Sequence, residues 1–298
     1  MPQPLEADSD FPLAPRLTRR VLLGLLGHPI SHSAAPAMHE AAGDSVGLRV
    51  LYQSLDIPGL DSAGLRRVLD GARELGFAGI NVTFPYKEAV LPLLDELSPT
   101  ARAIAAVNTV VVTDGKLIGH NTDATGFAAV LRSELGVTIA GPVALIGTGG
   151  MGRAAAFALA ECGVALRLFD TDPVKAESLA RDLSGLTTVS LPSDLPALLH
   201  GAAGLVNATP IGMLPDRGMP VPAALLHAGI WIVDAVYNPL ITPLLGAGRE
   251  VGARIVTGRS LALHQGLDAF RLFTGLVAPR GPMENAFDAV IAARGIRQ

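Results

Sequence analysis

A chain of 298 residues, 49 % hydrophobic and 17 % charged, has room for one large or two ordinary domains, each with a full core. The formal net charge of −4 offers no basic field for nucleic acid, and no apolar stretch is long enough to cross a membrane. The single cysteine, Cys162, permits no intrachain disulfide, which fits a reducing cytoplasm, and it falls in a predicted helix as a small core residue.

Residues 1–20 carry prolines and acids without periodicity and read as a disordered lead. Arg16 to Arg20 ahead of the apolar run 21–26 superficially looks like a signal peptide. That run is short, broken by Gly24 and ended by His28-Pro29, so it reads better as a first buried strand. A loop over 27–35 leads to a helix starting near Pro36, a strand at 50–55 and an amphipathic helix around 65–74. Residues 79–83 form a short strand, and residues 86–94 are predicted helical after Pro85. Residues 107–112 and 117–118 read as a hairpin around Asp114-Gly115. From Thr125 helix and strand alternate, with strands near 143, 165, 187, 204, 230 and 254, as in a doubly wound α/β unit. Helices over 261–274 and 282–294 lie beyond that unit and are expected to return to the first domain. The predicted architecture is therefore α/β with two domains. Residues 21–122 plus 258–298 form a substrate domain, residues 123–257 form a Rossmann-type dinucleotide domain, and the substrate lies in the cleft.

Within the second unit, the apolar run 143–146 is followed by Gly147-Thr148-Gly149-Gly150-Met151-Gly152 and an alanine-rich helix. Gly147, Gly149 and Gly152 have the G-x-G-x-x-G spacing: a tight turn, a close backbone approach to pyrophosphate, and close packing of helix on strand. The helix N-terminus adds free N–H groups for phosphate. Glycines also mark ordinary turns, but here strand, helix and a second strand ending in Asp170 all stand where the motif requires. A carboxylate at that strand tip accepts hydrogen bonds from both hydroxyls of an adenosine ribose and repels a 2′-phosphate, which favours NAD. After Asp170 no arginine occurs before Arg181, and Lys175 is the nearby cation. Asp170 also reads as an N-cap for the helix after Pro173, a role compatible with the first.

The first half places polar groups where packing does not call for them: Asn81-Val82-Thr83-Phe84-Pro85-Tyr86-Lys87, Ala106-Val107-Asn108-Thr109 and Gly119-His120-Asn121-Thr122-Asp123. Hydride transfer to a nicotinamide needs a group to take the alcohol proton and hydrogen bonds to hold the substrate. Lys87 and Asp123 suit that pairing, because a carboxylate beside a lysine holds it in one rotamer, where its amine can exchange a proton. The same residues also read as a surface lysine and a helix-capping aspartate.

Together with Gly27-His28-Pro29-Ile30-Ser31-His32-Ser33, Asn207-Ala208-Thr209 and Gln265, these strings resemble the shikimate dehydrogenase family from about Leu22 to Leu276. Pro36-Ala37-Met38-His39-Glu40, Pro85-Tyr86-Lys87 and Asp268-Ala269-Phe270-Arg271 look most like its NAD-using quinate/shikimate branch. The resemblance implies Lys87 and Asp123 as the catalytic pair. It implies Ser33, Thr83, Asn108, Tyr237 and Gln265 around a cyclic hydroxy carboxylic acid. Gly147, Gly149, Gly150, Met151, Gly152 and Asp170 then form the nucleotide site, with Thr209, Val236 and Gly258 at the nicotinamide end. One departure stands out: the family's Ser-x-Ser or Ser-x-Thr pair reads Ser33-Ala34-Ala35, one hydroxyl short at the carboxylate end.

The expected activity is reversible NAD-linked oxidation of shikimate or quinate to the 3-dehydro acid. The alternatives are an NADP-dependent biosynthetic enzyme with Lys175 on the 2′-phosphate, a paralogue acting on a related cyclic hydroxy acid, and a non-enzymatic NAD-sensing or scaffold protein. An intact Lys87/Asp123 pair speaks against the last. His28 and His32 suggest a metal by spacing, but Pro29 separates them from a shared helical face, and no metal is expected. The partner is a small molecule, and the assembly a monomer or homodimer.

Overall fold

Leucine- and valine-rich runs separated by glycine and proline turns fold, in this computed structural model, into two six-stranded sheets flanked by helices. The structure describes residues 19–136 and 140–295, so most of the proposed lead lies outside the described residues, though Arg20 already belongs to the first strand. The first sheet contains β1 (Arg20–Gly27), β2 (Arg49–Asp56), β3 (Gly79–Val82), β4 (Glu96–Leu97), β5 (Thr109–Thr113) and β6 (Lys116–His120), in the order β2-β1-β3-β5-β6-β4. β1 pairs in parallel with β2 and β3, while β3–β5 and β5–β6 are antiparallel. The β5–β6 turn places Asp114 (φ 49°) and Gly115 (φ 73°) in the left-handed region, the backbone of a tight hairpin.

Alternation along β1 shows why this run is apolar throughout. Val21, Leu23 and Leu25 pack with Met38 of α1 (Ala35–Ser45), Phe270 and Phe273 of α9 (Gly258–Thr274), and Met283 and Phe287 of α10 (Arg280–Gly295). Leu22 and Leu26 face the opposite side, with Leu65 and Leu69 of α2 (Ser62–Glu74). A strand covered on both faces needs apolar residues at every position. The same packing brings the C-terminal helices back onto the first sheet, as expected.

The second sheet is wholly parallel. Its strands are β7 (Val143–Ile146), β8 (Leu166–Phe169), β9 (Val189–Ser190), β10 (Gly204–Asn207), β11 (Trp231–Asp234) and β12 (Arg254–Val256), in the order β12-β11-β10-β7-β8-β9. The order reverses between β7 and β10, and the crevice beyond the strand ends there is where doubly wound sheets take ligands. Helices α4 (Thr122–Val130), α5 (Gly150–Glu161), α6 (Pro173–Asp182), α7 (Leu195–Leu199) and α8 (Pro243–Glu250) complete this half.

Two expectations are corrected. Residues 86–94 form turns ending in one 3-10 turn at Leu91–Leu93 rather than a helix. Pro92 has no N–H to continue a helical ladder, and only Val90 N–H reaches back four residues, to Tyr86 O. Next to it stand the short strand β4 and helix α3 (Pro99–Ile104), capped by Ser98 Oγ, neither of which was anticipated. Cys162 is exposed at the C-cap of α5 and is not a core residue, because the helix's buried face ends at Ala160.

The core of the first unit holds a titratable group. His39 of α1 is 1 % exposed, stacks on Tyr52 at 4.9 Å, and has no hydrogen-bond partner for Nδ1 among the described residues. Burial pushes its pKa down to about 3. The unfolded chain takes up this proton near pH 6.5, whereas the folded chain holds out to about 3, so stability falls with pH across that window. At pH 4.5 the loss amounts to about 3 kcal/mol. His39→Gln is expected to unfold in urea with less difference between pH 7 and 4.5 than the parent. An unchanged difference would assign the acid sensitivity to other groups.

Candidate active site

The glycine loop is dictated by close approach. A Cβ on Gly152 would lie 1.8 Å from the Gly147 carbonyl oxygen, so α5 starts directly against the turn that leaves β7. Gly147 adopts φ +87° and faces Thr209, whose Cγ2 would be 2.7 Å from an added Cβ. Gly149 is the N-cap of α5 and supplies no side-chain cap, and the first turn carries no acidic residue. The amides of Gly150, Met151 and Gly152 therefore point out of a helix N-terminus suited to a phosphate. The glycine cradle, these free donors and Asp170 together fit a dinucleotide.

Asp170 follows β8. Its Oδ2 accepts from the Thr148 amide (2.7 Å) and hydroxyl (2.9 Å), and its Oδ1 from the Asp172 amide (2.9 Å). Burial pushes its pKa up, but these hydrogen bonds and Lys175 outweigh it and hold the carboxyl below the ordinary range. Asp172, not Asp170, caps α6, accepting from the Val174 amide at 3.0 Å. The shorter reach from position 172 takes the capping role that the sequence left open for Asp170.

Lys87 and Asp123 meet, although 36 residues separate them: Nζ lies 2.5 Å from Oδ2. Asp123 is 1 % exposed in the first turn of α4, where the helix dipole favours a carboxylate. Asn121 fixes that turn, its Oδ1 accepting from the Ala124 amide and its Nδ2 donating to Ala106 O. Lys87 keeps 16 % of its side chain exposed, and its carbonyl accepts from the Val107 amide. Gly150 seats the lysine against the nucleotide loop: a Cβ there would stand 3.0 Å from Lys87 Cβ and 3.1 Å from its Cδ. The Lys87 stem and the glycine turn are thus neighbours across the two sheets. The surface-lysine reading fails on this burial.

Beside the pair runs a closed polar network. Tyr52 Oη donates to Asn81 Oδ1 (2.8 Å), Asn81 Nδ2 to Thr109 Oγ1 (3.1 Å), and Thr109 Oγ1 to Asn108 Oδ1 (3.0 Å). Asn108 Oδ1 also accepts the Thr122 amide at 2.7 Å, and its Nδ2 donates to Thr122 Oγ1. Asn108 is thereby fixed with one N–H to spare. Among the described residues, the polar ends of Thr83, Tyr237 and Gln265 hold no hydrogen bond. Thr83 stands over Gly27, Tyr237 packs edge-on against Phe287 at 5.4 Å, and the Gln265 backbone abuts Gly126, one turn along α4 from Asp123. Ser33 Oγ accepts the Ala35 amide at 3.2 Å, which leaves its own proton free, and Ala35 packs toward the α1 core. The loop before it is held by His28 Nδ1 on Asp56 (2.7 Å), so His28 is engaged with a carboxylate rather than with His32.

The sequence reading missed a second buried network at the ends of β10 and β11. Asp234 Oδ1 accepts from Asn207 Nδ2 (2.9 Å) and the Val236 amide (3.0 Å), and its Oδ2 from Thr242 Oγ1 (2.6 Å). Asn207 Oδ1 in turn accepts the Thr209 hydroxyl at 2.7 Å and its amide at 3.1 Å. Burial pushes the Asp234 pKa up to about 6 against the pull of these donors. One carboxylate so holds both Thr209 and Val236, and Gly258 closes against the carbonyls of Ala235 and Val236. The available signal was polar residues ending two apolar strand runs.

A glycine cradle abutting a buried lysine–carboxylate pair defines the class: a two-domain α/β oxidoreductase that uses NAD(P) on a CH–OH group. A family model described as shikimate dehydrogenase substrate binding domain matches residues 25–110. The sequence is 43 % identical to the shikimate dehydrogenase (NADP(+)) of Pseudarthrobacter chlorophenolicus, covering 94 % of this chain and 98 % of that one. It is also 43 % identical to the quinate/shikimate dehydrogenase (NAD(+)) of Corynebacterium efficiens, covering 86 % and 93 %. The solved quinate dehydrogenase from Corynebacterium glutamicum in complex with NAD superposes with a TM-score of 0.82 at 39 % identity, covering 91 % and 99 %. The chain belongs to the shikimate dehydrogenase family.

Proposed function

We propose that this enzyme interconverts shikimate or quinate and the corresponding 3-dehydro acid, with NAD preferred over NADP. The observation that carries the reading is the Lys87–Asp123 pair set against Gly150 of the dinucleotide loop. Bound NAD supplies the hydride acceptor. Lys87 Nζ takes the proton of the ring hydroxyl as the C–H bond breaks and returns it in reduction, while Asp123 orients the amine and offsets its charge. Residues 21–122 plus 258–298 carry the acid, with Ser33 and Thr83 offering hydroxyls, Asn108 its spare N–H, and Tyr237 and Gln265 their unengaged polar ends. Residues 123–257 carry the dinucleotide, with Thr209, Val236 and Gly258 at its nicotinamide end. With Ala35 contributing no hydroxyl, the carboxylate end rests on Ser33.

Asp170 supports NAD, because an ionised carboxylate at that strand tip repels a 2′-phosphate. The NADP reading rests on Lys175, whose charge acts on Asp170. Absorbance of the reduced nicotinamide, with shikimate and quinate each tried against both cofactors, tests the assignment. NAD is expected to give the higher kcat/KM, and Asp170→Ala to narrow or reverse that preference. Equal use of both cofactors by the unaltered enzyme refutes the NAD assignment, and silence with both acids refutes the substrate.

A further inference from the structure

At the first variable position of the glycine motif, Thr148 is 2 % exposed and turns both its amide and its hydroxyl onto one oxygen of Asp170. A carboxylate offers about four acceptor positions. Thr148 fills two on Oδ2, and the Asp172 amide fills one on Oδ1, so a single position on Oδ1 remains. We propose that Thr148 is a specificity-determining residue, which pins the Asp170 carboxylate so that Oδ1 alone faces the adenosine ribose.

The consequence is chemical. A ribose 2′-hydroxyl donates to the remaining Oδ1 position. A 2′-phosphate is mostly dianionic at neutral pH, so it is a poor donor to that position and meets a fixed negative charge. An unpinned aspartate would rotate away from the phosphate and tolerate it, whereas one held from two sides on Oδ2 cannot. The threonine hydroxyl adds a charge-assisted hydrogen bond that a residue with only an amide at this position lacks. Lys175 acts on the same carboxylate by charge alone and does not fix its orientation.

This inference rests on the reading of Asp170 as the ribose-facing residue, and the test separates the two. Thr148→Val removes the hydroxyl while keeping a β-branched side chain, Thr148→Ser keeps the hydroxyl, and Asp170→Ala removes the carboxylate. The readouts are kcat and KM for NAD and NADP, with dissociation constants of NADH and NADPH from fluorescence titration. Thr148→Val is expected to lower the NAD-to-NADP ratio of kcat/KM by about tenfold, the scale of one hydrogen bond to a charged group. The change should appear in KM and in the dissociation constants more than in kcat, and Thr148→Ser should restore most of the ratio. If Asp170→Ala collapses the ratio and Thr148→Val does not, Thr148 has no part in selectivity. A serine variant that behaves like valine points to packing rather than the hydroxyl and equally overturns the proposal. A ratio untouched by Asp170→Ala refutes the ribose reading itself, and the role of Thr148 with it.

Discussion

Lys87→Met is expected to lower turnover by about 10²–10⁴-fold while NADH still binds, since methionine keeps much of the stem volume and removes the only amine in the pair. The size of the effect follows from the setting. The amine lies 2.5 Å from a carboxylate that is 1 % exposed, with its stem against Gly150. Asp123→Asn is expected to reduce turnover as well, because an amide neither attracts nor orients the ammonium as strongly. Losing one partner of a buried pair leaves the other charge uncompensated, so the asparagine variant should also unfold earlier on heating. Steady-state rates, nucleotide titration and a melting curve for each variant make the comparison. Near-normal turnover in Lys87→Met would transfer the proton-handling role to another group, such as His264 or a bound water.

Gly152→Ala should be the most damaging single-methyl change in the nucleotide half. The added carbon would stand 1.8 Å from the Gly147 carbonyl oxygen, a backbone atom that no rotamer change can move aside, so α5 must move off β7 to admit it. Overpacking of this kind costs about 1–3 kcal/mol or more, and the shift would also displace the free amides that meet the pyrophosphate. Dinucleotide affinity is expected to fall at least tenfold, alongside a lower melting temperature. Gly71→Ala in α2 is the control: nothing lies within 4 Å of its added carbon. That change should raise stability by roughly 0.5–1 kcal/mol, as for an unhindered helical glycine. Equal behaviour of the two variants would show that the tight β7–α5 junction is not what Gly152 provides.

Local patterns carried much of the architecture. The G-x-G-x-x-G spacing needs only the covalent geometry of one turn, so Gly147, Gly149 and Gly152 were readable in the string itself. The continuous apolar run at 143–146 and the strand near 204, both buried throughout, are likewise a property of a few consecutive side chains, as is the Asp114-Gly115 hairpin. Residues 86–94 went wrong for the opposite reason. Their apolar spacing suits a helix, but Pro92 and the hydrogen bond from Val107 N–H, ahead of β5, to the Lys87 carbonyl decide otherwise. Cys162 was misplaced because its exposure depends on where α5 leaves the core, a matter of packing rather than of composition.

What the sequence by itself determined was a doubly wound nucleotide half, a preceding α/β half and a set of polar residues at strand ends, because periodicity and turn chemistry act over a few residues. Only the tertiary structure decided which of those polar residues meet. Lys87 joins Asp123 across 36 positions, and Asp234 gathers Asn207, Val236 and Thr242. Thr148 closes on Asp170 over 22 positions, and Asp172 takes the helix cap. Hydrogen bonds between distant segments depend on the register of whole sheets and the packing of helices upon them, and no short string of residues encodes that arrangement.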